Sequence, residues 1–149
     1  MNKNVVRPIA ICVIRRNDDI FVFEGHDFVK GETFYRPLGG GIEFGEHSRD
    51  AVAREVREEI GQDVVNLRHL GAVENIFTCN GKGGHEIVMV YEGEFADPGM
   101  YECKPLDAVE DNGERFKALW MPLQHFRDGL SPLYPDGLLE LLAASEAAE

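Results

Sequence analysis

The chain has 149 residues, enough for one domain with one core, and 44% of them are hydrophobic, an ordinary share for a globular protein. Its formal net charge of −12 repels polyanions, which argues against a nucleic-acid polymer or an anionic membrane as partner. A small phosphate-bearing substrate is compatible with that field if a bound cation or local Arg and Lys reverse it at one site.

The opening Met1-Asn2-Lys3-Asn4 leads directly into a strand-like run, without a charged segment, apolar stretch and small-residue cleavage site in succession. Val5 to Ile14 is apolar and rich in β-branched residues, Asn17-Asp18-Asp19 supplies turn chemistry, and Ile20 to Phe23 is apolar again. These read as two strands joined by a tight turn. His26 to Glu32 reads as a loop and Phe34-Tyr35-Arg36 as a short strand. Pro37 to Gly45 holds four glycines and reads as a loop whose backbone takes unusual angles or approaches another group closely.

Ser48 to Ile60 is the clearest helix: it contains no Gly or Pro, Gly61 follows as a stop, and Ser48 is the expected N-cap. Val64 to Phe77 reads as a strand bent at Gly71. Asn80 to Gly84 reads as a turn, and Glu86 to Phe95 as the strand returning from it. Asp97 to Gly113 reads as a surface loop and Phe116 to Met121 as a short strand. Pro122 to Phe126 and Pro135 to Ala144 read as helices with proline near their starts, and Ser145 to Glu149 as a fraying tail. Strands with helices interspersed predict an α/β or α+β layered domain. No repeat or linker interrupts residues 1–149, so one domain is expected.

On the wheel of the Ser48–Ile60 helix, Glu55, Glu58 and Glu59 share one face, and Val52, Val56 and Ile60 form a separate apolar face. Like charges four residues apart destabilise an isolated helix by about 0.2–0.5 kcal/mol per pair. A hard divalent cation would remove that cost, because such ions prefer carboxylate oxygens. The plainer reading of the same residues is a solvated acidic face.

Gly40 is followed after five residues by Glu46, and after seven more by Arg54-Glu55-Val56-Arg57-Glu58-Glu59-Ile60-Gly61. This segment resembles the signature of the Nudix hydrolases, G-x5-E-x7-R-E-U-x-E-E-x-G-U, with U a bulky apolar residue. Every fixed position over 40–62 is matched except the last, where Gln62 stands. A second departure precedes the box: Leu38 occupies the position before the glycine pair where many members carry proline, and Pro37 lies one residue earlier.

The resemblance implies an α/β/α sandwich around a mixed sheet. It also implies hydrolysis of a nucleoside diphosphate linked to another moiety, with Mg²⁺ or Mn²⁺ as cofactor. By the same resemblance Glu55, Glu58 and Glu59 bind metal, Glu46 joins their shell, and Gly39 offers a backbone carbonyl. Arg54 orients the catalytic glutamates, and Glu43 is a further metal candidate. The base that deprotonates the attacking water is a box glutamate such as Glu58 or Glu59, or a residue outside it, with Glu86 and Glu74 as candidates. Arg36 is placed to grip a phosphate. Phe34, Tyr35 and Phe77 could stack on a base or fill core, and Arg7 could face the substrate or be an edge charge. A homodimer is a common outcome in the family.

A non-catalytic module that senses a nucleotide or nucleotide sugar on the same fold is the second reading; its mark would be loss of box glutamates, and none is lost. A calcium loop over Ala108 to Leu119 lacks both required end carboxylates, and no phosphate-binding G-x4-G-K-[ST] occurs. Three cysteines, Cys12, Cys79 and Cys103, are odd in number and far apart. They argue against a disulfide framework and for a reducing, cytoplasmic setting. No apolar run approaches the roughly 18 residues that span a bilayer.

Overall fold

The structure is a computed structural model that describes residues 4–110 and 112–148. The reading of the first three residues, and Glu149 of the expected tail, lie outside the described residues. The strands are β1 (Val6–Arg16), β2 (Asp19–Asp27), β3 (Glu32–Gly41), β4 (Val64–Cys79), β5 (Lys82–Phe95), β6 (Leu106–Val109) and β7 (Arg115–Pro122). The helices are α1 (Ser48–Ile60), α2 (Leu123–Arg127) and α3 (Leu138–Ala147), with a 3₁₀ turn at Pro98–Glu102.

The strands run in the order β4-β5-β1-β3-β2-β7-β6. The β1–β5 pair is parallel and the other neighbours are antiparallel, so the sheet is mixed. Strand β3 joins its two halves: Leu38–Gly41 pairs with β1, and Glu32–Pro37 pairs with β2. On one face α1 buries Ala51, Val52 and Val56 against Ala10, Cys12 and Leu38. On the other, Leu123, Phe126, Leu138 and Leu142 of α2 and α3 pack against Ile9, Ile11, Val88 and Val90. The result is the expected α/β/α layering. Each large aliphatic side chain so buried stabilises the fold by about 1.5–3 kcal/mol.

Several elements differ from the sequence reading. Pro37 to Gly41 is strand, not loop. A Cβ on Gly39 would lie 2.1 Å from the Ala10 carbonyl oxygen, and one on Gly40 would lie 2.5 Å from the Glu55 carboxylate. The glycines therefore serve close approach rather than chain reversal. Helix α1 is capped by His47 without a side-chain bond. Ser48 is its first residue, and its hydroxyl shares a 2.5 Å hydrogen bond with Tyr91. Gly61 ends α1 as expected, at φ 68°, its N–H donating to the Arg57 carbonyl at 2.8 Å.

The segment Asp97 to Gly113 is not irregular throughout. Asp97 accepts the Gly99 N–H at 2.9 Å and caps the 3₁₀ turn, and β6 follows with Ala108 buried. The last helix starts at Leu138, after a turn at Gly137 with φ 88°. It runs through Ala147, held by the Arg15–Glu146 pair at 2.7 Å. Strand β4 bends where expected: its register with β5 shifts between His69 and Gly71.

Candidate active site

Helix α1 presses two carboxylates onto the glycine strand. Glu55 and Glu59 are 5% and 7% exposed. Glu59 accepts the Gly39 N–H at 3.0 Å. Glu55 occupies the space that any side chain at Gly40 would take, so the helical spacing and the glycine pair form one local device. Glu58, on the same face, is half exposed.

Arg54 ties these groups together. Its guanidinium donates to both oxygens of Glu46 at 2.8 and 3.0 Å, to Glu55 at 3.0 Å, to Glu58 at 3.3 Å and to the Gly41 carbonyl at 3.0 Å. The planar fork matches Glu46 bidentately, the strong form of this bond. Glu43 stands at 3.8 Å from the same guanidinium and is largely exposed. The Glu43 backbone N–H donates to Glu46 at 3.1 Å, so loop and helix share one charge network.

That network separates the acids electrically. Hydrogen bonds from Arg54 and from the Glu43 backbone hold Glu46 down to about 2. Burial pushes Glu59 up to about 8; Glu110 and Glu55 add to the rise, while Arg36 and the Gly39 N–H oppose it. A group charged only at such cost is suited to a cation. The oxygens of Glu55 and Glu59 and the backbone beside them form a hard donor set. Among the described residues, no three of His, Cys, Asp and Glu are gathered closely enough to hold one ion. Glu46, Glu55 and Glu58 instead lie on the nitrogens of Arg54. The donors fit a hard divalent cation in chemistry, with Glu55 and Glu59 the two buried arms.

Beyond β3 the two halves of the sheet part around a cleft of about 550 Å³. Ile9, Val88, Asn75 and Glu86 line it from one half, and Phe23 and Arg36 from the other. Arg36 links the cleft to the helix. It lies 4.5 Å over the Phe23 ring, pairs with Glu110 at 3.0 Å, and its charge reaches Glu59. Phe34 and Phe77 line the cleft, and each ring leans over a glycine, Gly25 and Gly84.

The sequence candidates therefore divide. Glu46, Glu55 and Glu58 gather on Arg54, and Glu59 stands on the Gly39 N–H. Glu86 and Arg36 line the cleft. Glu74 is exposed and pairs with His85 at 2.8 Å, away from the cleft lining. Tyr35 is core, with its hydroxyl donating to Glu24 at 2.9 Å. Arg7 is paired with Glu86 across β1–β5 and its guanidinium lies against Gly41, outside the lining of the cleft. Sequence reasoning passed over Asn75 and Glu110. Glu110 lay inside a segment read as loop, and the alternation of Leu106 and Ala108 ahead of it was the available signal.

A model of the NUDIX domain matches residues 6–141. The chain is 30% identical over 126 residues to the NAD-capped RNA hydrolase NudC of Pseudomonas aeruginosa strain LESB58, a match that covers 85% of this chain and 38% of that protein. It is 36% identical over 106 residues to the NAD-capped RNA hydrolase NudC of Pseudomonas putida strain GB-1, covering 71% and 35%. The chain thus spans little more than a third of the length of these relatives. Among solved structures it resembles a NUDIX hydrolase from Nitrosomonas europaea, with TM-score 0.68 and 20% identity, over 97% of this chain and 90% of that one. A MutT NUDIX hydrolase from Burkholderia pseudomallei aligns with TM-score 0.60 and 24% identity, over 81% and 86%. With the box laid along the glycine strand, its loop and α1, every one of its glutamates present, and the domain model matched over residues 6–141, this chain belongs to the Nudix hydrolase family.

Proposed function

We propose that this single Nudix domain is a pyrophosphohydrolase that cleaves the diphosphate linkage of a small nucleoside diphosphate derivative with Mg²⁺ or Mn²⁺. The observation that carries the reading is the Arg54-centred cluster of box carboxylates, set beside a cleft of about 550 Å³ into which Arg36 points its charge.

Glu55, Glu58 and Glu59 would hold the cation, with Glu46 and the Gly39 carbonyl completing its surroundings. When bound it supplies charge for the phosphate oxygens and acidifies a water. Arg54 fixes the carboxylates before substrate arrives, so little reorganisation is needed during reaction. Arg36 suits a phosphate oxygen, since its fork matches that geometry. Water attacks phosphorus, the bridging P–O bond breaks, and the phosphate leaves with the bond electrons. Glu58, the most exposed of the glutamates at the fixed positions of the box, is the proton acceptor we favour. Glu86 stands on the cleft floor, facing substrate.

Three observations support a small cytoplasmic substrate. The net charge is −12, the cysteines are unpaired, and among the described residues no helix is long and apolar enough to cross a membrane. Turnover of a panel of nucleoside diphosphate derivatives with Mg²⁺, with Mn²⁺ and with chelator, beside Glu58→Gln, tests the proposal. Turnover of at least one substrate is expected, abolished by chelator and lowered at least a hundredfold in the variant. A folded protein inert on the whole panel would favour the sensing module.

A further inference from the structure

We infer that the cleft floor reads a guanine-type nucleobase edge, with Glu86 accepting its two adjacent N–H donors and Asn75 donating to its carbonyl oxygen. The inference rests on the cleft being the nucleotide site of the proposed hydrolase.

Asn75 and Glu86 are direct partners across the antiparallel β4–β5 ladder. Such partners carry their side chains about 4.5–5.5 Å apart at Cβ, on the same face. Both line the cleft and are 4% and 8% exposed. Glu86 makes no hydrogen bond or ion pair with any described residue, and none of its oxygens is sealed off from solvent without a partner. The residue is therefore more than nine-tenths buried, and the part of its carboxylate left accessible faces the cleft it lines. An acceptor this nearly buried, with no donor from the protein, takes its hydrogen bonds from whatever occupies the cleft. Substrate is the natural source of those donors.

The neighbouring amide completes the pattern. Asn75 Oδ1 accepts the Asp136 backbone N–H at 3.1 Å. That bond fixes which way the amide faces, because a backbone N–H cannot donate to Nδ2. Asn75 Nδ2 has no hydrogen bond to a described residue and is left as a donor. The floor therefore presents two carboxylate acceptors beside one donor.

Guanine supplies the complement: an exocyclic amine, an adjacent ring N–H and a carbonyl oxygen. Adenine would set its N1 lone pair against the carboxylate, and cytosine offers one amine followed by two acceptors. Hypoxanthine keeps the ring N–H and the carbonyl but lacks the amine. The half-buried rings of Phe34 and Phe77 line the same cleft and suit a flat heterocycle, since stacking is tolerant of which base is present. They add affinity, whereas Glu86 and Asn75 carry the discrimination.

Calorimetric titration with GMP, IMP, AMP and CMP, without metal and without turnover, tests the inference. Wild type is expected to bind GMP about 10–100-fold tighter than AMP, the range for one good bidentate base contact, with IMP between them. Glu86→Gln should bring the GMP:AMP ratio to within about threefold of one while AMP still binds, which also shows that the variant is folded. Asn75→Asp keeps the acceptor for Asp136 and removes the donor; it should weaken GMP and leave AMP. Equal GMP and AMP affinity in wild type overturns the inference, as does an unchanged ratio in Glu86→Gln. A protein that prefers GMP yet hydrolyses nothing would instead overturn the hydrolase reading alone.

Discussion

Arg54 grips Glu46 with two nitrogens, at 2.8 and 3.0 Å, and so anchors the loop after β3 to the middle of α1. The same guanidinium serves Glu55, Glu58 and the Gly41 carbonyl. Arg54→Lys keeps the charge but offers a point donor in place of a fork. It is expected to lower kcat by about 10²-fold and to cost about 1.5–3 kcal/mol in urea unfolding. A variant with wild-type kcat would show that the network is not needed to position the carboxylates.

Gly39 and Gly40 make an internal control for each other. A Cβ at Gly39 would meet backbone, the Ala10 carbonyl at 2.1 Å, at a φ of +151°; one at Gly40 would meet the movable end of Glu55 at 2.5 Å. Gly39→Ala should therefore destabilise the fold by about 3 kcal/mol or more. Gly40→Ala should cost about 1 kcal/mol and instead remove activity by displacing a carboxylate. Paired urea melts and rates check this; a Gly39→Ala protein as stable as wild type would contradict it.

These glycines also show how far sequence reached. Helix α1 was legible because its cues are local: spacing, absence of Gly and Pro, and Gly61 as a stop. The glycine run was legible as a place of close approach but not as strand, because the group approached is Ala10 of β1, some thirty residues earlier. Arg54 was legible as an orienting residue, but its bond to the Gly41 carbonyl was not. The cleft was the least legible part. Asn75 and Glu86 meet only through the β4–β5 register, and Arg36 of β3 meets Glu110, just past β6, only through the β3-β2-β7-β6 order of the sheet.

The two displaced carboxylates predict opposite pH dependences. Glu46 is lowered from 4.5 to about 2 in the folded protein. Its contribution is fully present above about pH 4.5 and is lost as pH falls towards 2. Glu59 is raised from 4.5 to about 8, so the unfolded chain gives up its proton first. The folded state then loses stability as pH rises from 4.5 to 8, and the full cost applies above 8. Metal-free Glu59→Gln should match wild type near pH 4 and exceed it at pH 8 and above. Added Mg²⁺ should raise the wild-type Tm at pH 8 and leave that of the variant almost unchanged. Equal Tm values for the two metal-free proteins across this window would remove the case for a costly charge at Glu59.

Arg36 joins the halves of the site, lying over Phe23, pairing with Glu110 at 3.0 Å and acting on Glu59. If it holds a phosphate oxygen, Arg36→Lys should raise KM about tenfold with a smaller change in kcat, since a lysine retains charge but not the fork. Arg36→Ala removes the charge that opposes protonation of Glu59, so Glu59 should rise further and the metal-free protein should be less stable at pH 8 than wild type. Glu110→Gln separates the two roles: it removes the partner of Arg36 and a charge that pushes Glu59 up, leaving the guanidinium in place. A fall in KM in Glu110→Gln would mean that Glu110 competes with substrate for Arg36. A rise in KM matching that of Arg36→Lys would mean that the ion pair holds Arg36 in its working position.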